Sequence, residues 1–230
     1  MDSSNKNISN LNKLNKICST YILKTIFKNL SEKKLFHIIK YSKKIQTKID
    51  IGLQDYKLYN KIIIEIIPLK KYDKNKFINI PKEKRAFYHI YFNKDKKEMK
   101  RNYFTKKSKV EKIKIIIDEK IKSLFELFKR CDCIEKINFI RFNRNNIKNM
   151  NYMFYECTSL KELNMKNFNT DNVINMNYMF YKCTSLKELN INRFNFDNVI
   201  YMKSMFTGCS EEIKNKLRNQ FPYLEDEAFQ

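Results

Sequence analysis

Sixteen residues beginning at Asn149, NMNYMFYECTSLKELN, recur from Asn175 as NMNYMFYKCTSLKELN, with Glu156 exchanged for Lys182. Over the full interval, 149–174 against 175–200, 21 of 26 positions are identical; the others are Glu156/Lys182, Met165/Ile191, Lys166/Asn192, Asn167/Arg193 and Thr170/Phe196. No other feature restricts the fold as strongly. A unit this short cannot bury its own apolar residues, so tandem copies must stack and present matching apolar rows to one another. The same interval puts Cys131, Cys157, Cys183 and Cys209 in register, preceded by Leu127, Met153, Met179 and Met205 and by Phe128, Phe154, Phe180 and Phe206. Four copies are therefore visible.

Within the interval, Leu-x-x-Leu-x-apolar hexamers predict strands: LKELNM (160–165), LKELNI (186–191), the related IEKINF (134–139) and, ahead of them, VEKIKI (110–115). Four parallel strands are expected, each turning its first, fourth and sixth residues inward. Between strands, NMNYMFYEC places apolar residues at 150, 153, 154 and 157, the spacing of a short helix face. Phe142, Phe168 and Phe194, and Ile147, Val173 and Val199, should form interior ladders. The expected fold class is α/β: a short leucine-rich-repeat solenoid of parallel strands plus short helices.

This pattern resembles the 26-residue leucine-rich repeat of BspA-like bacterial surface proteins, whose copies run Met-x-x-Met-Phe-x-x-Cys-x-x-Leu-x-x-Leu-x-Leu-x-x-Phe-x-Thr-x-x-Val. The likeness is specific over 147–209 and weaker over 110–146. It implies a right-handed solenoid. Many members are cell-surface proteins with many copies and a secretion signal, whereas few copies occur in this chain.

The flanks complete the expected organisation. In CSEEIKNKLRNQFPYL, Ser210 is placed to cap a helix whose first turn carries Glu211 and Glu212, and Ile213, Leu217 and Phe221 follow at four-residue spacing. Residues 210–230 should be a capping helix and tail that shield the last copy. Residues 61–109, with KIIIEIIPL and AFYHIYF, should form a basic β-rich connector with a small antiparallel arrangement. Residues 1–60 should be a helical subdomain that caps the first copy or docks a partner. Residues 21–49 carry Ile22, Leu23, Ile26, Phe27, Leu30 and Leu35, then YSKKI. This spacing resembles an F-box, which implies contact with a Skp-type ubiquitin-ligase adaptor through Ile26, Phe27 and Leu30.

The net charge of +22 at pH 7 divides into +8 over 1–60, +11 over 61–120 and +3 over 121–230, so the repeats are not its source. Lysine outnumbers arginine 40 to 7, as in chains from AT-rich genomes. Lysines interleaved with Tyr88, Tyr91, Phe92, Tyr103 and Phe104 nevertheless keep single-stranded nucleic acid open as a partner. The two histidines, His37 and His89, and the two glycines leave no catalytic set or phosphate loop, so a non-enzymatic chain is expected, with no cofactor and no metal. The six cysteines should be free thiols, those of the copies packed in the core. No apolar run approaches a membrane span, and no export signal is read in the polar N-terminus, so a cytoplasmic chain is expected.

The outward strand positions are the binding candidates. Asn138, Asn164 and Asn190 fall in register, flanked by Lys161 and Lys187, and the differences between the best two copies gather just after the strand, where Lys166 and Arg193 lie. The functional reading is a protein–protein interaction module with an F-box-like substrate-adaptor front. The alternatives are a basic nucleic-acid-associated protein and a surface adhesin of the repeat family, against which the missing export signal argues.

Overall fold

The computed structural model describes residues 22, 38, 42–49, 60–70, 75–105, 109–144 and 146–230. The chain divides into two compact units, Met1–Asn60 and Lys61–Gln230. In the first, Ile22 and Ile38 are helical and α1 spans Lys43–Ile49. Ser42 starts α1: its hydroxyl accepts the Ile45 amide at 3.3 Å and its carbonyl accepts the Gln46 amide at 3.0 Å.

The second unit is built on one sheet. Its strands are β1 (Ile62–Pro68), β2 (Tyr88–Phe92), β3 (Ile113–Ile117), β4 (Ile134–Arg141) and β5 (Glu162–Asn164), in the order β2-β3-β1-β4-β5. β1 is central and antiparallel to both β3 and β4; β2 pairs antiparallel with β3, and β4 pairs parallel with β5. The isoleucine run in β1 suits a pleated strand, and Pro68 ends it. Alternation does the rest. Ile62, Ile64 and Ile66 enter the core with Ile113, Ile115 and Ile117, whereas Ile63, Glu65 and Ile67 lie on the opposite, open face.

The expected α/β leucine-rich-repeat solenoid does not form. The sheet is mixed and open, and described helices are few. VEKIKI, expected as the first parallel strand, supplies β3, which runs antiparallel between β1 and β2 and separates the two strands expected to pair within 61–109. The physical cause is β1. Its two edges both need partners, and β3 and β4 take them, so the hexamers at 110–115 and 134–139 are held apart. LKELNI forms no strand although its sequence nearly repeats that of β5; Lys187 N donates to Lys161 O at 3.3 Å and the ladder goes no further.

The helix face expected in each copy is also replaced. Alternate amides in 150–156 point to the next layer: Met150, Tyr152, Phe154 and Glu156 donate to the carbonyls of Asn175, Asn177, Met179 and Tyr181 at 2.8–3.0 Å. The amides between them, Met153, Tyr155 and Cys157, donate three residues back at 3.1–3.2 Å. Tyr152 (φ 57°) and Glu156 (φ 53°) are left-handed, as are Tyr178 and Lys182 one copy later and Glu126 and Arg130 one copy earlier. A right-handed helix cannot hold a left-handed residue every fourth position. The result is a ribbon of turns whose inward residues, Met150, Met153, Phe154 and Cys157, keep the helix-like spacing and are all buried.

Stacking of these ribbons makes the core. Phe128, Phe154, Phe180 and Phe206 form a column with ring centroids 5.6, 5.5 and 5.8 Å apart, and Phe142, Phe168 and Phe194 form a second at 4.2 and 5.8 Å. The cysteines have a specific task. The Phe154 carbonyl accepts the Cys157 amide within its own layer, and its other lone pair accepts the Cys183 thiol from the next layer at 3.2 Å. Cys157 and Cys209 donate likewise to Phe128 O (2.9 Å) and Phe180 O (3.3 Å). A small apolar side chain with one weak donor fits that position.

α2 (Glu211–Gln220) follows the fourth ribbon, with the Ser210 hydroxyl accepting the Ile213 amide and Ile213 and Leu217 buried. It ends where Gln220 Nε2 donates to Asn192 Oδ1 at 2.6 Å and Phe221 packs on Phe196. The end of α2 is thereby fixed to the loop after LKELNI, at Asn192 and Phe196. The tail then completes the ribbon ladder: Ser204 N and Phe206 N donate to Glu227 O and Ala228 O, and Phe229 packs on Phe206.

Candidate interaction face

The open face of the sheet is organised in rows set by register. One row carries Tyr91, Lys114, Glu65, Asn138 and Asn164 across the five strands. Beside it run Ile67, Lys136 and Glu162. Asn190 and Glu188 of the third copy join the part of these rows from β1 to β5 in lining an open groove of about 630 Å³. A smaller hollow of about 260 Å³ adjoins it, sharing Met165, Lys166 and Asn190 and adding Asn192 and Arg193.

Seven of the ten sequence candidates meet on this surface. Asn138, Asn164, Asn190, Lys161, Lys187 and Lys166 line the groove, and Arg193 lines the hollow. Ile26, Phe27 and Leu30 lie outside the described residues. The asparagines do not bond to one another. Asn164 Oδ1 accepts the Lys166 amide (3.1 Å) and Asn190 Oδ1 accepts the Asn192 amide (3.2 Å), so each fixes its own turn and leaves its NH2 group for solvent or a partner.

The charges are ordered by layer. Glu135-Lys136 in one copy faces Lys161-Glu162 in the next, and both columns form ion pairs, Lys161 to Glu135 at 3.0 Å and Lys136 to Glu162 at 2.7 Å. The Lys161 hydrogen bond holds the Glu135 carboxyl below its usual range, and the Glu162 hydrogen bond raises Lys136. The third copy repeats Lys-Glu at 187–188, so like charge follows like charge. Glu65 is paired by Lys112 at 3.1 Å. The exchange of Glu156 for Lys182 makes charges alternate at the ribbon's edge: Glu156 lies between Arg130 (2.7 Å) and Lys182 (3.9 Å), where a third cation would be repelled.

Residues 97–220 match the family described as "Mycoplasma protein of unknown function, DUF285". The chain belongs to this family. Its DUF285 region contains β3, β4, β5, the four ribbons and α2, and leaves out β1 and β2, which complete the sheet. Comparison with curated proteins and with solved structures finds no match.

The DUF285 region also holds a surface that the sequence reading missed. Tyr152 stacks on Tyr178 and Tyr155 on Tyr181, each at 4.9 Å, with Lys129 Nζ 4.9 Å from the Tyr152 ring centre. The signal was present in Tyr-Met-Phe-Tyr, where two core residues stand between two outward rings. Conversely, the proposed basic aromatic surface is dismantled: Tyr88, Phe92 and Phe104 are buried, and only Tyr91 and Tyr103 reach solvent. His89 lies between Glu98 (3.4 Å) and Asp118 (3.3 Å), which also pair with Lys100 and Lys61. Arg144 is buried, its guanidinium donating to the carbonyls of Asp118, Glu119 and Ile121, and burial lowers its pKa to about 10.

The five described cysteines are free and buried. Burial pushes Cys133 and Cys209 up to about 12 and Cys131, Cys157 and Cys183 well above the usual thiol value. Among the described residues no group of three His, Cys, Asp or Glu could hold a metal ion, and no helix is long and apolar enough to cross a membrane.

Proposed function

We propose that this DUF285 chain is a non-enzymatic protein–protein interaction module whose binding surface is the open sheet face running from Glu65 to Arg193. The observation that carries this reading is the convergence of seven outward polar residues on one groove and the hollow that adjoins it, held by strands and stacked ribbons whose other faces are packed core. Such a surface is rigid before contact, which reduces the ordering cost of binding. The likeness of 147–209 to BspA-like repeats supports a recognition role. A protein partner is favoured over nucleic acid because carboxylates of Glu65, Glu162 and Glu188 stand among the lysines, and because the tyrosine ring faces are stacked on one another and not presented to bases. A cytoplasmic setting belongs to the proposal; five buried thiols without a disulfide support a reducing compartment.

The test is a photoreactive amino acid placed at Asn164 in the full chain, and separately at Lys96 in the exposed loop after β2. Discrete, protease-sensitive and nuclease-resistant adducts from position 164 that are absent from position 96 are the expected result. Adducts removed by nuclease, or identical products from both positions, would refute the assignment.

A further inference from the structure

We infer that the partner presents an acidic, extended segment that lies across the asparagine row with its carboxylates at the junction of the groove and the adjoining hollow; this rests on the binding role proposed above. Residual charge on this face selects the occupant. Lys136, Lys161 and Lys112 are each neutralised by Glu162, Glu135 and Glu65. Lys166, Lys187 and Arg193 are exposed, line the groove or the hollow, and have no ion pair among the described residues, whereas Glu188 is the single unpaired carboxylate there. Three cations against one anion therefore remain after internal pairing.

Their positions follow from the differences between the copies. Lys166 aligns with Asn192 and Asn167 with Arg193, so Lys166 stands on the wall shared by groove and hollow and Arg193 lines the hollow beside it, out of register with Lys166. Asn138 has no side-chain hydrogen bond among the described residues, and Asn164 and Asn190 keep free NH2 groups, so the row between the cations offers amide donors suited to peptide carbonyls. Charge complementarity then selects an acidic strand, and the peptide backbone satisfies the amides. A phosphodiester backbone offers no amide carbonyls to that row.

The experiment titrates the full chain into three fluorescent probes: a peptide of alternating glutamate and valine about eight residues long, at ~3.3 Å per residue enough to cross the sheet, the same peptide with glutamine for glutamate, and a single-stranded DNA of similar length. Saturable binding of the glutamate peptide is expected, weakened about tenfold or more by Lys166→Glu with Arg193→Glu and tightened by Glu188→Lys, with unchanged thermal transitions. The charge-matched control Lys94→Glu with Lys96→Glu, in an exposed loop, should leave affinity unchanged and so separates the site from the net charge of the chain. Equal binding of the glutamine peptide, equal losses in the control variant, or DNA bound more tightly and lost with the same substitutions would overturn the inference. If protein adducts form at Asn164 while the glutamate peptide fails, the acidic-segment inference falls and the binding role stands; if no protein adducts form, both fall.

Discussion

Replacing Phe180 with leucine should destabilise the chain more than the same change at Phe128. Phe180 is fully buried and its ring lies between two others, Phe154 at 5.5 Å (interplanar angle 7°) and Phe206 at 5.8 Å (6°), whereas Phe128 stacks on Phe154 alone. Both changes keep an apolar residue of similar size, at a shape cost below about 1.5 kcal/mol. The rest of the effect is loss of ring pairs, worth about 0.5–1.5 kcal/mol each beyond area. Phe180→Leu removes two pairs, about 1–3 kcal/mol, and Phe128→Leu removes one, so the difference should be about 0.5–1.5 kcal/mol. Urea unfolding of the single and double variants supplies the assay. The cycle joining Phe154 and Phe180 should show coupling of that size, and the cycle joining Phe128 and Phe180, which do not touch, should be near zero. Equal coupling in both cycles, or none in either, would refute the column.

Three other outcomes follow from the same layers. Gly208→Ala should lower stability by about 1–3 kcal/mol in urea unfolding, because φ is +76° there and a Cβ would meet Lys182 Cγ at 2.9 Å and its Cα at 3.0 Å; an unchanged midpoint would contradict this. Glu156→Lys, which makes the two sixteen-residue copies identical, should lower the thermal midpoint more at low salt than at high salt, since the new cation sits between Arg130 and Lys182; no salt dependence would contradict it. Stability should fall as pH rises from about 9 toward 12: the folded thiols stay protonated because burial raises them, the unfolded chain ionises first, and each withdraws up to about 1.4 kcal/mol per pH unit. Cys183→Ala should make that slope shallower, and an identical slope would count against the thiol origin.

The inward rows were legible because stacking forces matching residues into register: the Phe128 and Phe142 columns, the cysteines and the Ser210 cap can all be found by counting in steps or by capping chemistry. The sheet was not. Nothing local in VEKIKI distinguishes a strand beside IEKINF from one separated from it by β1; that choice depends on where the IIIEII run finds its partners. The ribbon was misread as helical because turns with a left-handed residue every fourth position repeat the 150, 153, 154, 157 spacing, and Tyr152 and Glu156 are not residues that announce positive φ. The outward candidates were found by register alone, which is why seven of them share one surface while the tyrosine block, equally periodic, went unread.

Consecutive copies place equivalent outward residues, Asn138 and Asn164, opposite each other on one open face. Spin labels on Asn138→Cys and Asn164→Cys measure this directly in the full chain, with the native described thiols protected by burial. The parallel pairing of β4 with β5 puts the two labelled backbones about 5 Å apart, so the doubly labelled protein should give a strongly dipolar-broadened spectrum, which urea removes. A doubly labelled spectrum equal to the sum of the two singly labelled ones would show that the copies do not stack on that face.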